Sequence, residues 1–538
     1  MRLARLIALL ALAACARSAT PPPPRPEFDL VITGATIVDG SGGPRYAADL
    51  GVTGDRITRI SRTSLRGARA RRTIDVTGRV VAPGFVDLHA HLENILALPS
   101  GGSLVRQGVT TALGGPDGRA PLPLAPFLDT LDRTPLGLNV AFLAGHGSIR
   151  GAVVGYDDRA PTPDELARMR AMVAAAMDDG AWGLSTGLKY VPGTFATTDE
   201  IVALAAEAAA RGGIYTSHLR EEGLELIPGV TEAIDIGGRA RIPVVLTHHK
   251  VVGKPSWGAS RRTLAMVDSA RARGIDVTID QYPYTASYTG IDILIPAWAL
   301  AGGDSALVRR AADRSLRDSI ERGIVRSILT DRGAGDIARV QLARVPWARE
   351  LEGKTLADWA RSRGMQPTPE TGALLVLDAM RQGGADAIFH AIDEGDVERI
   401  MRHPFTMIAS DASPREPGGS FAHPRAYGTF PRVLGHYVRE RKLFSLEEAV
   451  RKMTSLPARR LGLADRGRIA EGAFADIVIF DPATIADRGT FTSPHQYPTG
   501  ISLVLVNGVP VVEGDTITAA RPGRVLRRGR DGGLPPAH

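Results

Sequence analysis

Eight short apolar runs alternate with helical stretches through the middle of this chain, and that alternation limits its fold more than any other feature. The runs are Phe85–His91, Val109–Leu113, Asn139–His146, Gly183–Leu188, Ile214–Leu219, Val244–Lys250, Val277–Tyr284 and Thr406–Asp411. Between many of them lie segments with a helical period, such as TPDELARMRAMVAAAMDDG (162–180) and TTDEIVALAAEAAARGG (197–213). Eight strands joined by helical crossovers predict an α/β fold, a (β/α)8 TIM barrel whose chemistry sits at the carboxyl ends of its strands. The gap between the seventh and eighth strands, about residues 291–400, is too long for one loop and one helix. Its helical, charged character predicts an inserted subdomain or lid.

The two ends of the chain read differently. FDLVITGATIVDG, DLGVTGDRITRIS and RTIDVTGRVVAPG are short strands punctuated by Gly and Asp, and GRIAEGAFADIVIFD and ISLVLVNGVPVVEGD have the same character. Residues 28–83 and 465–520 are therefore expected to pair into one small β-sandwich, with the barrel over 84–464 and a flexible tail over 521–538. Ahead of them, MRLARLIALLALAAC carries Arg2 and Arg5 and then an apolar stretch from Leu6 to Ala14, too short to span a bilayer but suited to a signal peptide. Leu12-Ala13-Ala14-Cys15 resembles the lipobox of bacterial lipoproteins, and the proline-rich residues 16–27 read as a stiff tether. An exported, cell-envelope or periplasmic protein is expected, touching the membrane through a lipid anchor only.

The ends of the eight runs carry the chemistry. His89 and His91 share one face of the first strand by alternation. His218 ends the fifth, His248 the sixth and Asp411 the eighth. A lone histidine at a strand end is most often a core residue. Four imidazoles and a carboxylate from four strands, converging on one barrel mouth, instead form a metal site by ligand type. Cys15 is the only cysteine, so a cysteine-based zinc site within the barrel is excluded. The net charge of +7 does not point to nucleic acid, because the arginines are scattered and no basic block alternates with aromatics.

PGFVDLHAH, SHLR, LTHHK and SDASP, in that order, resemble the amidohydrolase superfamily. More narrowly, GLSTGLKYVPG, THHKVVG, DQYPYTA, HPRAYGTFPRVLG and HQYPTGI resemble the D-aminoacylase (N-acyl-D-amino-acid deacylase) family, over about residues 28–517. The resemblance implies one or two zinc ions, or another divalent metal, held by His89, His91, His218 and His248. Asp411 would bind both metal and catalytic water and act as the base, while Lys250, Tyr282 and Arg425 would hold the substrate's α-carboxylate. The implied substrate is a small anionic N-acyl amino acid, hydrolysed to a carboxylic acid and a free amino acid. A dipeptidase, a cyclic amidohydrolase and, as a different class, a non-catalytic binding lipoprotein are the rivals. An intact Asp411 argues against the last, since binding alone does not need a base beside a metal.

One departure stands out. Where relatives place a cysteine ligand after strand two, this chain has GGPDG, with Asp117. Lysine is scarce (only six), yet Lys189 falls at the end of strand four, where related amidohydrolases carry a carboxylated lysine bridging two metals. Either Asp117 or a carbamate on Lys189 would complete the site. The expectation favours the carbamate, because an anionic bridge suits two close dications, and reads Asp117 as a turn former. His146 is weighed equally between substrate contact and a structural hydrogen bond, and His249 is expected behind strand six. His390, His403, His423 and His436 receive no role.

Overall fold

The structure is a computed structural model that describes residues 26–535; the lipobox and nearly all of the tether lie outside the described residues. The barrel strands are Phe85–Asp87, Val109–Gly114, Asn139–Phe142 with its continuation Ala144–Gly145, Gly183–Gly187, Ile214–His218, Val244–Leu246, Val277–Gln281 and Thr406–Ile408. Each pairs in parallel with the next. The ring closes at its carboxyl end, where Ala90 bridges Ala412 in parallel and the Asp411 amide donates to the His89 carbonyl at 2.8 Å.

Alternation sorts the strand side chains. Val86, Ala141, Val245 and Met407 fill the barrel interior with Leu113 and Leu143, whereas Phe85, Val140, Val244, Leu246 and Ile408 pack outward under the helices. Both faces are covered, so these strands read as nearly continuous apolar runs. The helices start on sequence-encoded caps. Thr162 accepts from the Glu165 amide at 3.3 Å while Glu165 accepts from the Thr162 amide at 2.7 Å, a reciprocal capping box.

Segments from both chain ends form one continuous, mixed nine-stranded sheet, rather than two separately hydrogen-bonded ones. The junction is the antiparallel pairing of Val80–Pro83 with Ile477–Phe480. Val81, Ile477, Ile479, Leu503 and Leu505 point into the small domain's own core. The alternate residues Val80, Ala82, Val478, Phe480 and Val504 join the core against the barrel. The inserted subdomain is present and begins slightly earlier than expected. Ser287–Gly290, Asp386–Phe389 and Val340–Arg344 make an antiparallel sheet with a separate core, in which Ile320, Ile324 and Ile328 form one stripe of the helix Arg314–Thr330. Helix Glu394–Arg402 belongs to the barrel, through Val397, Ile400 and Met401.

The tail expected to be flexible is instead docked over its described residues, 521–535. The Leu526 amide donates to Val140 at 2.7 Å, Trp182 Nε1 donates to the Leu526 carbonyl at 2.8 Å, and Leu526 itself is buried among Leu461, Leu463 and Trp182. Apolar side chains at the amino end of the barrel need a cover, and residues 523–526 supply it by pairing with strand three.

Candidate metal centre

Loops at the carboxyl ends of the strands bring five of the expected residues, and Asp117, into one cluster. His89, His91, Asp117 and Asp411 form one group of donor atoms within 4.8 Å of one another; Asp117, His218 and His248 form a second. Asp117 belongs to both. Its Oδ2 lies 3.5 Å from His89 Nε2, 3.6 Å from His91 Nε2 and 3.9 Å from His218 Nδ1, and its Oδ1 lies 3.4 Å from His248 Nε2. Asp411 Oδ1 closes the first group at 3.2 Å from His91 Nε2 and 3.5 Å from His89 Nε2.

The backbone is bent to make this arrangement. Asp117, His248 and Asp411 all have positive φ, at 53°, 35° and 51°. Positive φ is uncommon for any residue but glycine, though Asp and His adopt it more readily than most, and such conformations concentrate at functional sites. The turn that carries Asp117 packs so tightly on strand four that a Cβ on Gly187 would lie 2.3 Å from the Asp117 carbonyl oxygen. Only glycine fits there.

Burial alone would push the Asp117 and Asp411 carboxyls up. For Asp117 the neighbouring His89 and His248, and for Asp411 the guanidinium of Arg425 with His89, overcome it and hold both well below the usual carboxylate range. The imidazoles respond to the same field. His91 is pushed up to about 10 against its burial by Asp411 and Glu93. For His248, burial and Lys250 act downward, but Asp117 and Glu222 bring it up to about 9. His218, dominated by burial, is pulled down to about 4. Both ring nitrogens of His89 and of His218 are buried without a hydrogen-bond partner among the described residues. Two buried carboxylates facing four imidazoles, with orphaned ring nitrogens between them, fit a divalent cation, which displaces imidazole protons on binding.

Lys189, the other expected bridging residue, lies apart from the two donor groups in this structure. Its Nζ is held by both oxygens of Glu221 at 2.7 and 2.8 Å and lies 3.7 Å from Asp331. Lys189 is paired with carboxylates at the rim, and Asp117 is the residue shared by both donor groups.

The expected carboxylate-binding residues line the same cavity of about 1340 Å³ or pack against it. Arg425 Nη1 lies 2.7 Å from Asp411 Oδ2 and its guanidinium stacks over the Tyr282 ring at 4.6 Å. Tyr282 is buried and its hydroxyl has no partner among the described residues. Lys250 Nζ sits 5.8 Å from the same ring. The remaining histidines are structural: His146 bonds Glu200 at 2.9 Å, His249 bonds Thr263 at 2.8 Å behind strand six, His390 bonds Gln341, His403 bonds Asp268 and His436 bonds Glu440. His423 differs, because its Nδ1 accepts from the Arg425 amide at 3.0 Å and so fixes that residue. Glu222 and Arg332, both buried at the back of the site, were not anticipated. For Glu222 the one available signal is its i+4 spacing from His218; Arg332 lies in the insert with no motif around it.

Residues 72–279 and 317–512 match the Amidohydrolase family. The chain is 39% identical to a D-aminoacylase of Alcaligenes xylosoxydans xylosoxydans, over 93% of this chain and 98% of that protein. It is also 39% identical to the N-acyl-D-glutamate deacylase of the same organism, over 93% and 97%. Among solved structures it is similar to the N-acyl-D-glutamate deacylase of Bordetella bronchiseptica complexed with zinc and a phosphonate mimic of the tetrahedral intermediate. The TM-score is 0.79 at 36% identity, covering 93% of this chain and all of that one.

The geometry makes a prediction about the two rival anions. Asp117→Asn removes the charge common to both donor groups, so zinc bound per chain, measured by atomic absorption after dialysis, should fall sharply. Lys189→Ala should leave it unchanged. The reverse pattern would restore the carbamate.

Proposed function

The chain belongs to the amidohydrolase family and, within it, groups with the D-aminoacylases; from that premise we propose that it is a zinc-dependent hydrolase of N-acyl amino acids, with N-acyl-D-amino acids as the preferred class. The observation that carries this reading is the position of Asp411. One oxygen faces two imidazoles of a metal-binding group, and the other faces Arg425. A proton acceptor thus stands between a site for a cation and a site for an anion, which is where the scissile amide of an N-acyl amino acid must lie.

His89, His91, His218, His248, Asp117 and Asp411 are the residues that would hold one or two zinc ions. Zinc, when bound, supplies Lewis-acid polarisation of a carbonyl and acidification of water. Asp411 accepts the proton of the attacking water and delivers it to the leaving nitrogen. Arg425 offers a planar fork suited to the substrate carboxylate, and Lys250 adds a second cation. Arg425 Nη1 also lies 2.7 Å from Asp411 Oδ2, so a substrate carboxylate that draws the guanidinium to itself would leave Asp411 the stronger base. Tyr282 sets the plane of the guanidinium by stacking.

We also infer that the protein is exported and lipid-anchored at Cys15, a reading supported by Arg2, Arg5, the apolar residues 6–14 and the proline-rich stretch after them.

Three outcomes are expected. A panel of N-acyl-D- and N-acyl-L-amino acids, dipeptides and their C-terminal amides should show turnover of the D acids and little of the amides. Equal cleavage of acid and amide would remove the carboxylate clamp, and preference for dipeptides would replace the deacylase reading. Asp411→Asn should lower kcat by roughly 10²–10⁴ with an unchanged far-UV spectrum; near-parental turnover would rule it out as the base. Cys15→Ser should shift the protein from the detergent phase to the aqueous phase, and identical partitioning would refute the anchor.

A further inference from the structure

A second cavity, of about 320 Å³, lies apart from the metal centre and shares no lining residue with the active-site cavity. It opens where the end of strand Ile477–Phe480, in the nine-stranded sheet, meets helices Val433–Glu440 and Leu446–Met453 of the barrel. Its base is apolar: Leu434, Phe480 and Ile485 are buried core residues. Val438 and Phe444 line it too, and the surrounding core covers them only in part. The fold therefore leaves apolar surface facing a concave space, which favours an apolar occupant.

The charged residues around this space are all of one sign. Arg45, Arg439 and Lys442 line it, and no acidic side chain does among the described residues. Two of these cations have carboxylates close by. Arg45 Nε donates to Glu447 Oε1 at 2.7 Å, and Arg439 Nη2 donates to Glu440 Oε1 at 3.2 Å. Arg439 Nη1 also donates to the Ile485 carbonyl at 2.6 Å, which holds the guanidinium against the wall. The Lys442 ammonium has no partner among the described residues. Three cations and two carboxylates leave one positive charge uncompensated beside an apolar pocket.

An unpaired surface lysine is ordinary, but two features set Lys442 apart. The chain has only six lysines. Lys442 also has φ of 50°, in the reversal after Val433–Glu440 where the Arg441 amide donates to His436 and the Leu443 amide to Tyr437, both at 2.8 Å. Glycine or asparagine is the usual residue in that left-handed conformation after a helix. Backbone geometry thus gives no reason for a lysine there, whereas its charge fits the cavity. The helix before it is wound as a π-helix over eight residues, a rare form found most often at functional sites.

We propose that this cavity is a second binding site, for a monoanion with an apolar tail, a free aliphatic carboxylic acid. The tail lies against Leu434, Val438, Phe444, Phe480 and Ile485, and the carboxylate meets Lys442 with Arg45 and Arg439 beside it. The site goes beyond the hydrolase reading and does not depend on it.

The test uses the full chain and decanoate, below its micelle-forming concentration, in titration calorimetry. The parent should bind decanoate saturably, and acetate, which lacks the tail, and decanol, which lacks the charge, much more weakly. Lys442→Gln should raise the decanoate dissociation constant roughly two- to fivefold, as expected for one exposed ion pair. Val438→Trp, which fills the cavity, should abolish binding. Neither residue belongs to the metal centre, so both variants should keep parental zinc uptake and far-UV spectra; if the tryptophan variant fails to fold, Lys442→Gln carries the test. A parent that does not bind decanoate, decanol bound as tightly as decanoate, or decanoate affinity unchanged in the folded variants overturns the proposal. Vesicles of phosphatidylglycerol offer the same chemistry from a lipid surface, and Lys442-dependent capture of vesicles without decanoate binding would overturn the free-acid assignment. Failure of the parent to hydrolyse any N-acyl amino acid would overturn the deacylase reading alone, because decanoate binding is measured without turnover.

Discussion

Asp117 is a carboxylate buried among four imidazoles, and the arrangement of the barrel mouth follows from the need to balance its charge. A lone carboxylate taken out of water would be protonated by preference. Here His89 and His248 keep it ionised, and it in turn sets the orientation of rings arriving from strands one, five and six. The parallel barrel is what permits this: strand ends separated by more than a hundred residues in sequence meet at one rim, and closure through Ala90 and Ala412 places Asp411 opposite Asp117 across the first pair of imidazoles.

The supporting structure answers the same constraint. Positive φ at Asp117, His248 and Asp411 turns three side chains inward at the points where the strands end. Covering both barrel faces, the amino end by residues 523–526 and one flank by the nine-stranded sheet, gives those strained loops a rigid base. The insert reaches the centre through a buried ion pair, Arg332 with Glu222, so an element far from any motif contributes charge at the heart of the site.

Much of this was legible in the sequence. The eight runs, the strand-end histidines, Asp411 and the pairing of the two chain ends depend on short-range periodicity and on ligand type, which a sequence displays directly. The choice between Asp117 and Lys189 was not, because it turns on where a long flexible side chain goes. Lys189 lies at the right strand end but finds Glu221, one crossover away beyond the neighbouring strand five, at 2.7 Å. The docked tail was hidden for a related reason: its polar, glycine-rich composition reads as flexible, whereas its few apolar residues, Val525, Leu526 and Leu534, fit apolar gaps at the base of the barrel. Arg332 carries no local pattern at all, and only the fold of the insert brings it to Glu222.

The central claim is that one carboxylate, Asp117, serves both halves of the metal centre. Anomalous diffraction at the zinc edge from crystals of the zinc-loaded protein tests it most directly. The account predicts peaks in the His89–His91–Asp411 group, the His218–His248 group or both, with an Asp117 oxygen bound to each, and Lys189 paired with Glu221. Zinc bridged by density continuous with Lys189 Nζ, with the Asp117 carboxylate turned away, would contradict it.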